Sequence, residues 1–111
     1  MPVSFQNRTV AQVAINQTAA GTDDLIAAVA GLKIYVVTVV VSLAAAGTIK
    51  FQEGTGPTDI TGEIPLAAGG GFVVTGGADS VALQTNVAGN KLSIVTTGGA
   101  ADGWLRYFTA A

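Results

Sequence analysis

The chain has no cysteine and no histidine. Without cysteine there is no disulfide, no thiol nucleophile and no thiolate metal site, and the redox compartment leaves no trace in the sequence. Without histidine the commonest general base and the usual zinc ligand are missing too, and every Ser-His or Cys-His pairing is excluded. Charge is scarce: Asp, Glu, Lys and Arg make up 11 % of the 111 residues, against roughly a quarter of an average domain. The basic residues Arg8, Lys33, Lys50, Lys91 and Arg106 are scattered, and the net charge is −2. No run of them follows a phosphate backbone or draws the chain to an anionic bilayer, so neither nucleic acid nor a membrane is an expected partner. The apolar stretch 34–46 falls short of the roughly 20 residues that a membrane-spanning helix needs. No signal peptide is expected at the polar N-terminus. The sequons Asn7-Arg8-Thr9 and Asn16-Gln17-Thr18 are short enough to arise by chance.

What is present is half hydrophobic residues and many glycines, in a chain sized for one domain and one core. Residues 1–8 read as an N-terminal arm or edge strand, and 9–111 as a single β-sandwich domain. Residues 9–17 alternate, with Ala11, Val13 and Ile15 on one side, the period-two pattern of a half-wetted strand. For 22–30 a short helix capped by Thr22 and favoured by Asp23 and Asp24 is one reading. A strand or an irregular segment fits nearly as well.

Residues 32–43 carry the strongest strand signal, apolar on both faces. Strict alternation puts Ile34, Val36, Thr38 and Val40 on one side, with Tyr35, Val37, Val39, Val41 and Leu43 on the other. Strands follow at 48–52, with Ile49 and Phe51 inward, then at 64–66, 72–75, 80–86, 91–97 and 104–109. Glycine, proline and asparagine turns separate them. Roughly eight short antiparallel strands of this kind specify an all-β fold, a β-sandwich of jelly-roll type.

Acid–base chemistry would fall to Asp23, Asp24, Glu53, Asp59, Glu63, Asp79 and Asp102. Glu53, Asp59 and Glu63 share one loop region, where a carboxylate pair could serve glycoside hydrolysis or an oxygen-ligand calcium site. Their spacing matches no calcium-loop pattern, and isolated solvated charges are the simpler expectation. Gly69-Gly70-Gly71 lacks the Lys-Ser or Lys-Thr of a phosphate loop. The sequence therefore points to a non-enzymatic protein with no catalytic, metal or cofactor residues.

The residues singled out for an interface or ligand contact are Tyr35, Trp104, Arg106 and Tyr107. On a strand, Trp104 and Tyr107 face opposite sides. Arg106 shares Trp104's side and would need a carboxylate from Asp102, Asp79 or another chain if that side were covered. Scarce charge also means weak repulsion between copies, which favours self-association.

The segments 25–34 (Leu25 to Ile34), Ile49-Lys50-Phe51 and 66–73 (Leu66 to Val73) make residues 24–108 similar to short proteins found among phage structural genes. That resemblance implies a compact β-sandwich or jelly-roll module in the virion, decorating or cementing the head or contributing to a tail or fibre. It also implies a homotrimer whose partners are phage capsid or tail proteins. A carbohydrate- or receptor-binding module is the alternative, with a glycan as ligand. It calls for an exposed aromatic beside Asn, Asp or Gln.

Overall fold

A computed structural model describes residues 9–76 and 80–111. The expected arm over 1–8, and Asp79 as a partner for Arg106, lie outside those residues. Ten strands are present among the described residues: β1 (Ala11–Asn16), β2 (Gly21–Ile26), β3 (Lys33–Leu43), β4 (Gly47–Glu53), β5 (Thr58–Asp59), β6 (Ile64–Leu66), β7 (Gly71–Thr75), β8 (Leu83–Gln84), β9 (Leu92–Thr97) and β10 (Ala101–Ala110).

They form two five-stranded antiparallel sheets. In the first, the order is β1-β10-β3-β7, with β8 continuing the β7 edge along β3. In the second it is β2-β9-β4-β5, with β6 also on β4. The pairing is nested: β1 with β10, β2 with β9, β3 with β7 and β8, β4 with β5 and β6. One long antiparallel hairpin rolled up on itself gives this order, which is the double-sheet jelly roll.

The core lies between the sheets. Ile34, Val36, Val39, Val41, Leu43 and Leu105 come from the first sheet, and Ile49, Phe51, Leu92 and Ile94 from the second, all nearly fully buried. Burying apolar side chains is worth about 1.5–3 kcal/mol each and drives the sheets together. Gln17 closes one corner of the roll: its Oε1 accepts from Thr96 Oγ1 (2.7 Å) and the Ala101 amide (3.1 Å), and its Nε2 donates to the Gly21 carbonyl (3.1 Å). One buried amide thus joins the β1–β2 turn to β9 and β10.

Two local expectations are corrected. The helix over 22–30 does not form, because Asp24 is held against β9 by Ser93 and Lys91 and Ile26 is buried in the core. The strict alternation across β3 also breaks. Arg106 faces Thr38 and Tyr107 faces Val36, so Val37 has no partner and forms a β-bulge. The bulge keeps Ile34 and Val36 on the same side as Val39, Val41 and Leu43, where simple counting sends them to opposite faces.

Candidate functional site

The carboxylates are dispersed. Glu53 ends β4 in phase with Ile49 and Phe51 and is 2 % exposed. Its Oε1 accepts from the Asn86 amide N–H (3.0 Å), the Val87 amide N–H (3.0 Å) and Asn90 Nδ2 (3.0 Å). Oε2 accepts from the Asn86 amide N–H (2.9 Å) and Asn86 Nδ2 (3.1 Å). Desolvation pushes its pKa up, but the hydrogen bonds from Asn86, Asn90 and Val87 together win and hold it below the ordinary carboxylate value. Glu53 is therefore neither a solvated loop charge nor an available acid; it anchors the 86–90 loop.

Asp59, on β5, lies on the opposite face of the sheet, accepting from Gln52 Nε2 (2.7 Å) and pairing with Lys50 (3.3 Å). Glu63 accepts from Thr48 Oγ1 (3.3 Å). The structure does not bring these three together. Among the described residues no group of three or more carboxylates is placed to hold a metal ion.

The outer faces of the two sheets differ in kind. On the second sheet, Asp24, Ser93, Gln52 and Asp59 form one row in register across four strands. Its members satisfy one another: Ser93 Oγ donates to Asp24 (3.0 Å), Lys91 pairs with Asp24 (3.0 Å), and the Thr48 and Thr97 hydroxyls are 2.6 Å apart. That face is polar and internally bonded.

On the first sheet the outward residues fall into three rows. The central row is apolar across all four strands: Ala14, Trp104, Val40 and Val73 stand in register. Ala14 and Val73 are exposed, Val73 by 67 %, while Trp104 and Val40 are half-buried. One polar row beside it is Gln12, Arg106, Thr38 and Thr75; the other is Asn16, Asp102, Ser42 and Gly71. An open groove runs over β3 on this face, lined by Val40, Ser42, Val73 and Asp102. The Arg106 guanidinium carbon sits 5.3 Å from the centre of the Trp104 ring, a cation–π contact, and Nε donates to Gln12 Oε1 (3.3 Å). Among the described residues neither Arg106 nor Asp102 belongs to an ion pair.

Of the four residues singled out from sequence, Trp104 and Arg106 are therefore brought together on this face. Tyr107 lies on the opposite side of β10, half-buried against the main core. Tyr35 shares the outer side but is buried, its ring stacked on Phe108 at 5.0 Å and 14°. Ala110, Val37 and Val81 complete that second cluster. Residues that sequence reasoning missed are Val40 and Val73, whose alignment with Trp104 depends on strand pairing. Asp102, expected as a partner for Arg106, lies on the same face but four residues away along β10, with no ion pair between them.

No family model and no curated protein matches the chain. Three solved structures align with the chain at low identity. The structure of infectious bursal disease virus Gx strain shares 14 % identity and a TM-score of 0.48 over 93 % of this chain. This chain spans only 32 % of that one's length. A virus-like particle of extra small virus from the giant freshwater prawn Macrobrachium rosenbergii gives 11 % identity and a TM-score of 0.40, covering 98 % of this chain and 81 % of that one. PirA gives 11 % and 0.34, covering 96 % and 100 %.

Proposed function

We propose that the chain is a non-enzymatic structural protein of a virion, coating or cementing its shell as a homo-oligomer. The observation that carries this reading is the apolar row Ala14, Trp104, Val40 and Val73 across an outer sheet face, in a chain with 11 % charged residues. An exposed apolar stripe rimmed by polar residues is the anatomy of a contact surface. A rolled-up double sheet with short turns suits a durable building block. The phage resemblance supports the placement and implies three copies.

The test is co-sedimentation of the purified chain with shells of the encoding virus assembled without it. Saturable binding that a Trp104→Asp change weakens supports the reading; no binding at any concentration overturns it.

A glycan-binding reading is favoured by one observation, the half-exposed Trp104 ring with Asp102 and Asn16 in the next row. Titration of tryptophan fluorescence with a sugar panel decides it, since Trp104 is the single tryptophan. A saturable change supports that reading and a flat response removes it.

A further inference from the structure

We infer that the outer face of the first sheet packs against the same face of a second copy about a two-fold axis lying along the Ala14–Trp104–Val40–Val73 row. This rests on the self-association proposed above and specifies the contact, with a two-fold pair in place of the three copies that the resemblance implies. The two polar rows are complementary to each other in charge and chemistry.

Along β10, Asp102, Trp104 and Arg106 succeed one another on the outer face, so the charged rows flank the apolar row on opposite sides, each about 7 Å away. A two-fold axis along the apolar row exchanges those sides. Arg106 then faces Asp102 of the second copy, and Asp102 faces its Arg106. The other positions match in kind: Gln12 meets Asn16, Thr38 meets Ser42, and Thr75 meets Gly71. The apolar row meets itself, with the groove over β3 beside Trp104 available to the apposed side chains. A two-fold axis along the strands instead leaves Arg106 at the same level as its own image, the like-charge arrangement. Isologous contacts require this self-complementarity, and opposed charges fix the register.

Both charged residues are exposed and make no ion pair among the described residues; Arg106 keeps its terminal N–H groups, beyond the Nε that donates to Gln12, for a carboxylate in trans. The second sheet offers no such surface: its outer rows carry no apolar stripe among the described residues, and both of its ion pairs, Lys91 with Asp24 and Lys50 with Asp59, are closed within the chain.

The test is a charge-reversal cycle read by light-scattering mass over a concentration series. Arg106→Asp and Asp102→Arg should each raise the dissociation constant by about tenfold or more, because each places like charges opposite one another twice. The double reversal should restore it to within about threefold, one RT-scale factor. Both positions are solvent-exposed, and circular dichroism melts confirm that each variant folds.

A second readout uses the absence of cysteine. Val73→Cys, on the axis, should be linked to its own image by a short bis-maleimide. Thr75→Cys, off the axis, should not. If the wild type is oligomeric but the reversals and the cross-linking have no such pattern, this face is not the contact and the two-fold inference falls, while self-association stands. A trimer without the Val73→Cys link has the same meaning. A wild type that stays monomeric throughout overturns both.

Discussion

Asn86 donates its backbone N–H (2.9 Å) and its side-chain Nδ2 (3.1 Å) to the same oxygen, Oε2, of Glu53, clamping the 86–90 loop to the end of β4. The carboxylate is buried, so its removal takes the acceptor from the Asn86 and Val87 amides at the part-buried base of an otherwise exposed loop. Hydrogen bonds to a charged group contribute about 1.5–3 kcal/mol each, and orphaned part-buried donors add to the loss. Glu53→Ala should cost about 3–5 kcal/mol and Glu53→Gln less, measured by urea unfolding. A loss below 1 kcal/mol for Glu53→Ala, on the scale of an ordinary surface change, would remove the anchor role.

The same carboxylate sets a pH dependence. Its folded pKa lies below the ordinary value of 4.5, because Asn86, Asn90 and Val87 donate to the ionised form more strongly than desolvation opposes it. Between the folded and unfolded values the unfolded chain binds more protons, so stability rises with pH there. The contribution is full above 4.5 and is lost as pH falls through the folded value. Unfolding free energy should therefore drop as pH falls below 4.5, with a shallower drop in Glu53→Gln. Asp24, held down by Lys91 and Ser93, and Asp59, held down by Gln52 and Lys50, act in the same direction from the surface. A wild type and a Glu53→Gln variant with identical pH profiles would contradict the assignment.

Gly103 gives a backbone test. Its φ is +155°, and a Cβ there would collide with the Val40 carbonyl in the neighbouring strand. Neither the backbone of β3 nor that of β10 has room to move without breaking the central pair of the first sheet. Gly103→Ala should therefore destabilise the fold by several kcal/mol, about 2 or more, by thermal or urea melts. A neutral result would mean that this pairing is looser than described.

The fold class was legible because Ile49 with Phe51 and Leu92 with Ile94 keep a clean period of two, and those strands form as the pattern predicts. The break in β3 was not legible. Val36, Val37, Val39 and Val40 are chemically alike, so nothing in composition marks Val37 as the bulged residue; only pairing with Arg106 and Tyr107 does. At β2, contacts to Ser93 and Lys91, far along the chain, override a local sequence that also suits a helix start. Glu53 was partly legible. Carrying the alternation of Ile49 and Phe51 one step further puts it on the core face, but its partners Asn86 and Asn90 look like ordinary turn residues. Likewise Trp104 and Arg106 could be picked from sequence, whereas the row that joins Trp104 to Val40 and Val73 exists only through strand register.

The bulge carries its own prediction. Deleting Val37 leaves Ile34, Val36, Val39, Val41 and Leu43 in plain alternation, all still able to face the core. That variant should fold, losing about 1–3 kcal/mol through the outer Tyr35–Phe108 cluster, on the scale of a modest packing defect. Deleting Val40 instead throws Val41 and Leu43 to the opposite face and should abolish cooperative unfolding in calorimetry. Equal tolerance of both deletions would contradict the assigned register.

The central claim is that copies of this chain meet through the outer face of the first sheet. The most direct measurement is solution mass by light scattering over a concentration series, for the wild type and for a Val73→Asp, Trp104→Asp double variant. A two-fold contact predicts twice 11.0 kDa, or a larger even multiple of 11.0 kDa, for the wild type and 11.0 kDa for a still-folded variant. A wild-type mass of 11.0 kDa at every concentration, or a variant that assembles as the wild type does, would contradict it.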